Sequence, residues 1–224
     1  MRAVGLLGGT FDPIHQGHLD VARAAHQALA LDEVRFVPAR HPPHRTAPAA
    51  SASHRFAMVA LAIASEPAMR VSDVEMEHDG PSFTIDTLDR LERADATLAG
   101  SCVFITGADA FAEIRTWRRW EALLARCHFA VVSREDQPAG ALRTALPDLA
   151  ERMHDTPCAL TASPGIFLVD ARTSRASSTR IRRALATGNA LDGLLPRTVA
   201  EYAVRQGLYA GPAFSATALE APTE

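Results

Sequence analysis

The chain has 224 residues, of which 47% are hydrophobic and 22% charged, a composition typical of folded globular proteins and not of disordered or fibrous ones. The formal net charge of −3 excludes a general basic field for nucleic acid or anionic membranes, and three widely spaced cysteines indicate neither a disulfide framework nor a thiolate metal site. No apolar segment approaches the length of a membrane span. We expect a cytoplasmic protein with a single domain over residues 1–210 and a mobile tail at 211–224.

Predicted strands and helices alternate along the chain. Short, almost wholly apolar strands between helical patterns are typical of a parallel sheet that is covered on both faces. We therefore predict an α/β fold, with a doubly wound, mostly parallel sheet and helices on both faces. The predicted order is strand 3–7, helix 19–31, strand 34–37, loop 39–51, helix 53–64, strand 70–74, helix 83–94, strand 102–105, helix around 120–124, strand 127–132, helix 139–152, strand 165–169, and helices 178–186 and 196–206.

The segment GGTFDPIHQGH, residues 8–18, connects the first predicted strand to the first helix. Ligands of such sheets bind beyond the carboxyl ends of the strands, and free amides at a helix start attract anions. The segment is neither a GxxxxGK[ST] phosphate loop nor a GxGxxG dinucleotide fingerprint. It supplies no lysine, so His15 and His18, three residues apart on one helical face, are the candidate donors to a phosphate.

Three interpretations of this histidine pair are open. The histidines could be solvated or capping residues at a helix start. They could bind a metal, although His41 and His44 in the proline-rich loop lack the spacing of further ligands. They could also donate imidazole N–H groups to phosphate oxygens as charge develops during phosphoryl-type transfer. The flanking residues favour the third interpretation.

A second candidate segment, ASSTRIRRAL, covers residues 176–185 near the end of the predicted fold. Ser177, Ser178 and Thr179 offer hydroxyl groups at a predicted helix start, and Arg182 follows one turn later. A guanidinium at that position can bind phosphate oxygens through two N–H groups. A capped surface helix without a ligand would have a similar sequence.

Together these segments resemble a known family. GGTFDPIHQGH resembles the HxGH signature of the nucleotidylyltransferase superfamily, and ASSTRIRRAL resembles its ISSTxIR motif with alanine in place of the isoleucine. Four other segments are similar to those of bacterial nicotinate-nucleotide adenylyltransferases: VPARHPPHR (37–45), GPSFTIDTL (80–88), TGADAFAEIRTWRRW (106–120) and LLPRTVAEYAVRQGLY (194–209). The resemblance implies a Rossmann-like fold and adenylyl transfer from ATP to nicotinate mononucleotide, giving nicotinate adenine dinucleotide and pyrophosphate.

The resemblance also implies roles for individual residues. The implied catalytic residues are His15, His18 and Arg182. The implied ATP-binding residues are Gly8, Gly9, Thr10, Phe11, His18, Gly107, Asp109, Ser178, Thr179 and Arg182. The implied mononucleotide-binding residues are Arg45, Thr84, Asp109, Trp117 and Arg134. We expect Mg²⁺ to be carried in with ATP and not to be held by a metal site of the protein.

Other interpretations of these residues remain open. Trp117 and Trp120 could be packing aromatics on one helix, and Asp109 could be a helix cap. The chain could instead be another adenylyl- or cytidylyltransferase of the HxGH type, or a nucleotide sensor without activity. The sequence leaves the oligomeric state open.

Overall fold

The structure is a computed structural model that describes residues 2–43, 47–134 and 137–210. Its strands are β1 (Val4–Gly9), β2 (Glu33–Pro38), β3 (Met69–Val71), β4 (Cys102–Gly107), β5 (His128–Val132), β6 (Met153–Asp155) and β7 (Ile166–Val169). Within the described residues these seven strands form one sheet in the order β3-β2-β1-β4-β5-β7-β6, and every neighbouring pair is parallel.

Helices cover both faces of the sheet. They are α1 (Gln16–Ala28), α2 (Ala52–Ala62), α3 (Thr84–Ala94), α4 (Ala108–Ala112), α5 (Trp120–Arg126), α6 (Leu142–Ala145), α7 (Ser178–Thr187) and α8 (Arg197–Arg205). Leu7 of β1 joins one apolar cluster with residues of α1, α2, α7 and α8, whereas the preceding Leu6 joins a second cluster with residues of α3 to α6. Since successive strand residues point to opposite faces, the sheet separates two cores.

The predicted doubly wound α/β fold is confirmed, but two predicted elements differ and two short elements were not predicted. The predicted helix 139–152 is a 3₁₀ turn at 139–141, then α6, then a 3₁₀ helix at 147–152. Pro147 explains the break, because it lacks an N–H and its ring clashes with the carbonyl four residues earlier. The predicted strand 70–74 corresponds to β3, which ends earlier, at Val71. Strand β6, with three residues, and helix α4, with five, were not predicted because elements this short show no periodicity.

The strand order reverses between β1 and β4, and this reversal positions the candidate site. The chain leaves β1 towards β2 on one side and enters β4 on the other, so a crevice opens beyond the carboxyl ends of β1 and β4. Gly8 and Gly9 end β1, and Thr106 and Gly107 end β4.

The helices of the described ranges are short. The longest, α1, has 13 residues, and among residues 2–43, 47–134 and 137–210 no helix combines the length and apolar character needed to cross a membrane.

Candidate active site

Two adjoining cavities occupy the crevice. The larger, about 650 Å³, and the smaller, about 280 Å³, share a wall. The shared wall is formed by Gly8, Gly9, Thr10, Thr106 and Ala110. The larger cavity is also lined by Phe11, His15, His18, Gly107, Asp109, Ser178, Thr179 and Arg182, and the smaller one by Thr84 and Trp117. The structure thus separates the residues expected for ATP from the two expected for the nicotinate ring.

The two histidines of the HxGH segment form one unit at the start of α1. His15 is the residue before the helix and is 2% exposed, and its ring stacks on that of His18 with centroids 3.7 Å apart. The ring of Phe11 packs against His18 edge-on at 5.0 Å. Phe11 has a φ of +49°, a conformation that non-glycine residues rarely adopt, so the turn before the histidines is strained.

The burial of His15 and the hydrogen bond to His18 suit the pair to donation through ring N–H groups. Burial, aided by the positive charge of Arg134, lowers the pKa of His15 to about 4, so this ring is neutral at pH 7. The Nδ1 atom of His18 accepts a hydrogen bond from the backbone N–H of His15 at 3.2 Å. A ring that accepts at Nδ1 carries its proton on Nε2, so Nε2–H is the donor that His18 can offer to a ligand in the cavity.

Gly17, between the histidines, is required by close packing. A Cβ atom there would lie 2.9 Å from the backbone oxygen of Ser174 and 3.2 Å from two atoms of the His15 ring. The segment that precedes α7 therefore packs closely against the start of α1, next to the His15 ring.

We expect Gly17→Ala to lower kcat/KM by about tenfold or more, because the new methyl group must displace the His15 ring or the Ser174 carbonyl. Steady-state kinetics of the adenylyl transfer that the family resemblance implies, followed by pyrophosphate release, measures the loss. Gly140→Ala is the matched control, since a Cβ atom at Gly140 meets nothing within 4 Å. Equal kinetics for the two variants would contradict the assigned packing role.

The start of α7 brings the second motif onto the first. Ser177 caps the helix by accepting the N–H of Arg180 at 3.3 Å, while the hydroxyl of Ser178 donates to the backbone oxygen of Pro13 at 3.0 Å. One Arg182 Nη1–H donates to the backbone oxygen of Asp12 at 2.7 Å. Segments about 165 residues apart in sequence therefore meet at the larger cavity.

A buried arginine fixes the loops behind this cavity. The guanidinium of Arg55 on α2 is 1% exposed and donates to backbone oxygens of Thr10, Ala39, Arg40 and Ala50 at 2.6 to 3.2 Å. These carbonyls belong to the segments that follow β1 and β2. Arg55 therefore ties both loops to α2, although neither the loop pattern nor the helix periodicity identified it.

Asp109 and Arg134 lie together at the end of β4 and β5. Asp109 stands in the first turn of α4, whose N-cap is Gly107, so the alternative of Asp109 as the helix cap is wrong. An Arg134 Nη1 atom lies 3.7 Å from the Asp109 carboxylate. Arg134 lines the larger cavity and not the smaller one that contains Thr84 and Trp117.

The smaller cavity combines aromatic walls with an unusual helix start. Phe83 is the N-cap of α3 and makes no side-chain cap. The backbone amides of Thr84 and Ile85 therefore have no intrahelical acceptor, and Thr84 lines the cavity. Trp117 has extended backbone before α5, so it does not share a helix with Trp120. Its ring meets Phe104 edge-on, with centroids 5.6 Å apart.

The sequence interpretation missed Arg118, which lines the same cavity. Its guanidinium lies 4.8 Å from the centroid of the Phe83 ring and 3.5 Å from the carboxylate of Asp86. Nothing in the pattern TWRRW distinguished this arginine from its neighbour. Arg45, the other arginine expected to contact the acceptor, lies outside the described residues, as does the tail at 211–224.

Within the described ranges, no group of three or more His, Cys, Asp or Glu side chains could hold a metal ion. The cationic donors Arg134 and Arg182 and the stacked histidines instead make the larger cavity suited to a polyanion.

Comparisons with known proteins identify the family of the chain. A family model described as "Cytidylyltransferase-like" matches residues 6–184. The chain is 42% identical to a "Probable nicotinate-nucleotide adenylyltransferase" of Pseudomonas fluorescens, covering 94% of this chain and 99% of that protein. It is also 42% identical to a protein of the same description from Acidithiobacillus ferrooxidans, covering 92% and 95%.

A similar solved structure is that of the Plasmodium falciparum nicotinic acid mononucleotide adenylyltransferase complexed with NaAD, with a TM-score of 0.73, 18% identity, and coverage of 93% of this chain and 98% of that one. At this identity the likeness shows the fold. The family model and the two bacterial relatives also show the family, since they span most of the chain. The chain therefore belongs to the nicotinate-nucleotide adenylyltransferase family.

Proposed function

We propose that this protein transfers the adenylyl group of ATP to nicotinate mononucleotide, giving nicotinate adenine dinucleotide and pyrophosphate. The observation that carries the proposal is the shared wall of Gly8, Gly9, Thr10, Thr106 and Ala110, because it joins a cavity suited to a polyanion to one with aromatic walls and a helix N-terminus. Two substrates lying in these cavities would meet beside the stacked histidines.

The reaction is an in-line attack by the acceptor's 5′-phosphate on the α-phosphorus of ATP. A P–O bond forms to the acceptor phosphate as the bond to pyrophosphate breaks. The attacking phosphate is already an anion, so no general base is needed, and the rate depends on alignment and charge stabilisation. His15 and His18, as neutral N–H donors, would stabilise the charge that develops on the α-phosphate oxygens.

The triphosphate would bind at the start of α7. Ser178, Thr179 and Arg182 supply hydroxyl and guanidinium groups there, next to the free amides of the helix N-terminus. Mg²⁺ coordinated by the triphosphate would enter with ATP and neutralise part of the phosphate charge. Asp109 follows β4 and Arg134 follows the neighbouring strand β5, and both would contact the nucleotides.

The nicotinate ring would occupy the smaller cavity and stack on Trp117. Its carboxylate would accept from the first amides of α3, where Phe83 leaves the helix without a side-chain cap. Arg118, held over Phe83, adds a positive charge at the same place.

Pyrophosphate release with ATP and a panel of acceptors tests this function. We expect release with nicotinate mononucleotide and none with phosphopantetheine or cytidylyl-transfer substrates. Release with one of those acceptors alone would indicate a different transferase of the HxGH type. ATP binding without release for any acceptor would indicate a nucleotide sensor.

Arg182→Lys is expected to raise the KM for ATP about tenfold while changing the KM for nicotinate mononucleotide little, because a single ammonium cannot replace a guanidinium that both anchors on Asp12 and binds phosphate. Initial rates with each substrate varied in turn measure the two constants. Arg183→Lys, an exposed neighbour on the same helix, is the control. An equal rise in both constants would instead indicate damage to the start of α7.

A further inference from the structure

The side chain of Asp12 connects three segments that are distant in sequence. It is 5% exposed, and its carboxylate accepts hydrogen bonds from the backbone N–H groups of Ala49 and Ala50 at 2.8 and 3.0 Å. It also accepts from the hydroxyl of Tyr209, beyond α8, at 2.7 Å. The turn that precedes the histidines is thereby tied to the segment before α2 and to the end of the described chain.

Asp12 also holds the arginine that we assign to the triphosphate. Its backbone oxygen accepts from Arg182 Nη1 at 2.7 Å, and one of its carboxylate oxygens lies 3.8 Å from the same nitrogen. A guanidinium has five N–H donors, so anchoring one of them leaves others for a ligand in the cavity. The orientation of Arg182 therefore depends on where Asp12 is held.

The hydroxyl of Tyr209 is held as a hydrogen-bond donor to the Asp12 carboxylate. Burial, together with the hydrogen bond to Asp12, raises the pKa of its phenol above the ordinary value, so the hydroxyl keeps its proton. Its backbone has a φ of +63°, which is uncommon for a bulky residue and needs support from surrounding contacts. Tyr209 does not line either cavity, so its influence on a bound nucleotide would be indirect.

We infer that Tyr209 is a positioning residue for ATP: its hydroxyl fixes Asp12, and Asp12 in turn orients the guanidinium of Arg182 towards the triphosphate. This inference rests on the proposed function, since it assumes that the larger cavity binds ATP. It adds the C-terminal end of the fold to the determinants of nucleotide binding.

The chain offers a matched control, because it contains two tyrosines. The hydroxyl of Tyr202 pairs with Nδ1 of His54 at 2.9 Å, joining α8 to α2, and Tyr202 lines neither cavity. Tyr209→Phe and Tyr202→Phe each remove one hydroxyl that is bonded to another segment. They differ in whether the lost bond leads to Arg182.

We expect Tyr209→Phe to raise the KM for ATP about five- to tenfold, with the KM for nicotinate mononucleotide changed by less than about twofold. Tyr202→Phe should leave both constants within about twofold, even if both variants lower the melting temperature similarly. If Tyr209→Phe leaves the KM for ATP unchanged, or raises both constants equally, the inference is wrong.

A double-mutant cycle tests the route through Arg182. In an Arg182→Lys background, Tyr209→Phe should add less than about twofold to the KM for ATP, because the orientation that it supports is already lost. A full multiplicative effect would show that Tyr209 acts on ATP by another route and would overturn the inference.

Direct binding separates this inference from the proposed function. Calorimetry with a nonhydrolysable α,β-methylene analogue of ATP needs no acceptor. Weaker analogue binding by Tyr209→Phe, but not by Tyr202→Phe, supports the inference even if pyrophosphate release with nicotinate mononucleotide fails. Unchanged analogue binding contradicts it even if the enzyme turns over as proposed.

Discussion

Replacing His18 with alanine is expected to lower kcat by about a hundredfold, or roughly 3 kcal/mol of transition-state stabilisation, while changing the KM values less. His15→Ala should have a similar effect. The proposed reaction has no nucleophile or base to lose, so the main loss in each variant is an N–H group whose hydrogen bond strengthens as charge builds on the α-phosphate. The stacked geometry of the two rings, 3.7 Å between centroids, predicts that removing either one also disturbs the other.

Single-turnover rates of pyrophosphate release measure this loss without interference from product release. His26→Ala is the control, because His26 lies on the same helix and lines neither cavity. Near-normal rates for His15→Ala or His18→Ala would exclude a role of that histidine in stabilising the transition state. A cooperative thermal transition in each variant is needed to show that the loss is not unfolding.

The second large effect concerns the choice between the acid and amide forms of the acceptor. We expect kcat/KM for nicotinate mononucleotide to exceed that for nicotinamide mononucleotide by at least about two orders of magnitude. The two differ by an oxygen replaced with NH₂, so size cannot distinguish them. The uncapped backbone N–H groups at the start of α3, near Thr84, and the guanidinium of Arg118 are all hydrogen-bond donors. The NH₂ group of nicotinamide would therefore face other donors, and the buried donors on both sides would stay unpaired.

Arg118→Gln should narrow this ratio, mainly by lowering kcat/KM for the acid. Arg115→Gln is the matched control, since Arg115 is as exposed as Arg118, pairs with Asp148 and lines neither cavity. A wild-type ratio near one would contradict acid recognition while leaving adenylyl transfer intact. If Arg118→Gln leaves the ratio of kcat/KM for the acid and amide acceptors unchanged, recognition of the carboxylate must come from the α3 amides alone.

Local sequence patterns predicted much of the fold. Apolar runs and helical periodicity are properties of neighbouring residues, and they located most of the strands and long helices and the parallel character of the sheet. They failed where the determinant was a single residue, as at Pro147, or where the element was as short as β6. The two motifs were likewise visible, because the chemistry of the HxGH pair and of Arg182 lies within a few residues.

The sequence by itself therefore determined the fold class, the family, and most of the candidate site residues. Only the tertiary structure decided how they meet: that Ser178 and Arg182 bond the carbonyls of Pro13 and Asp12, and that Arg134 belongs to the larger cavity. It also revealed the contacts of Arg55, Arg118 and Tyr209, which no local pattern distinguishes from other arginines and tyrosines. The physical reason is that these contacts join segments up to 197 residues apart, and such contacts depend on how the helices pack on the sheet rather than on the residues beside them.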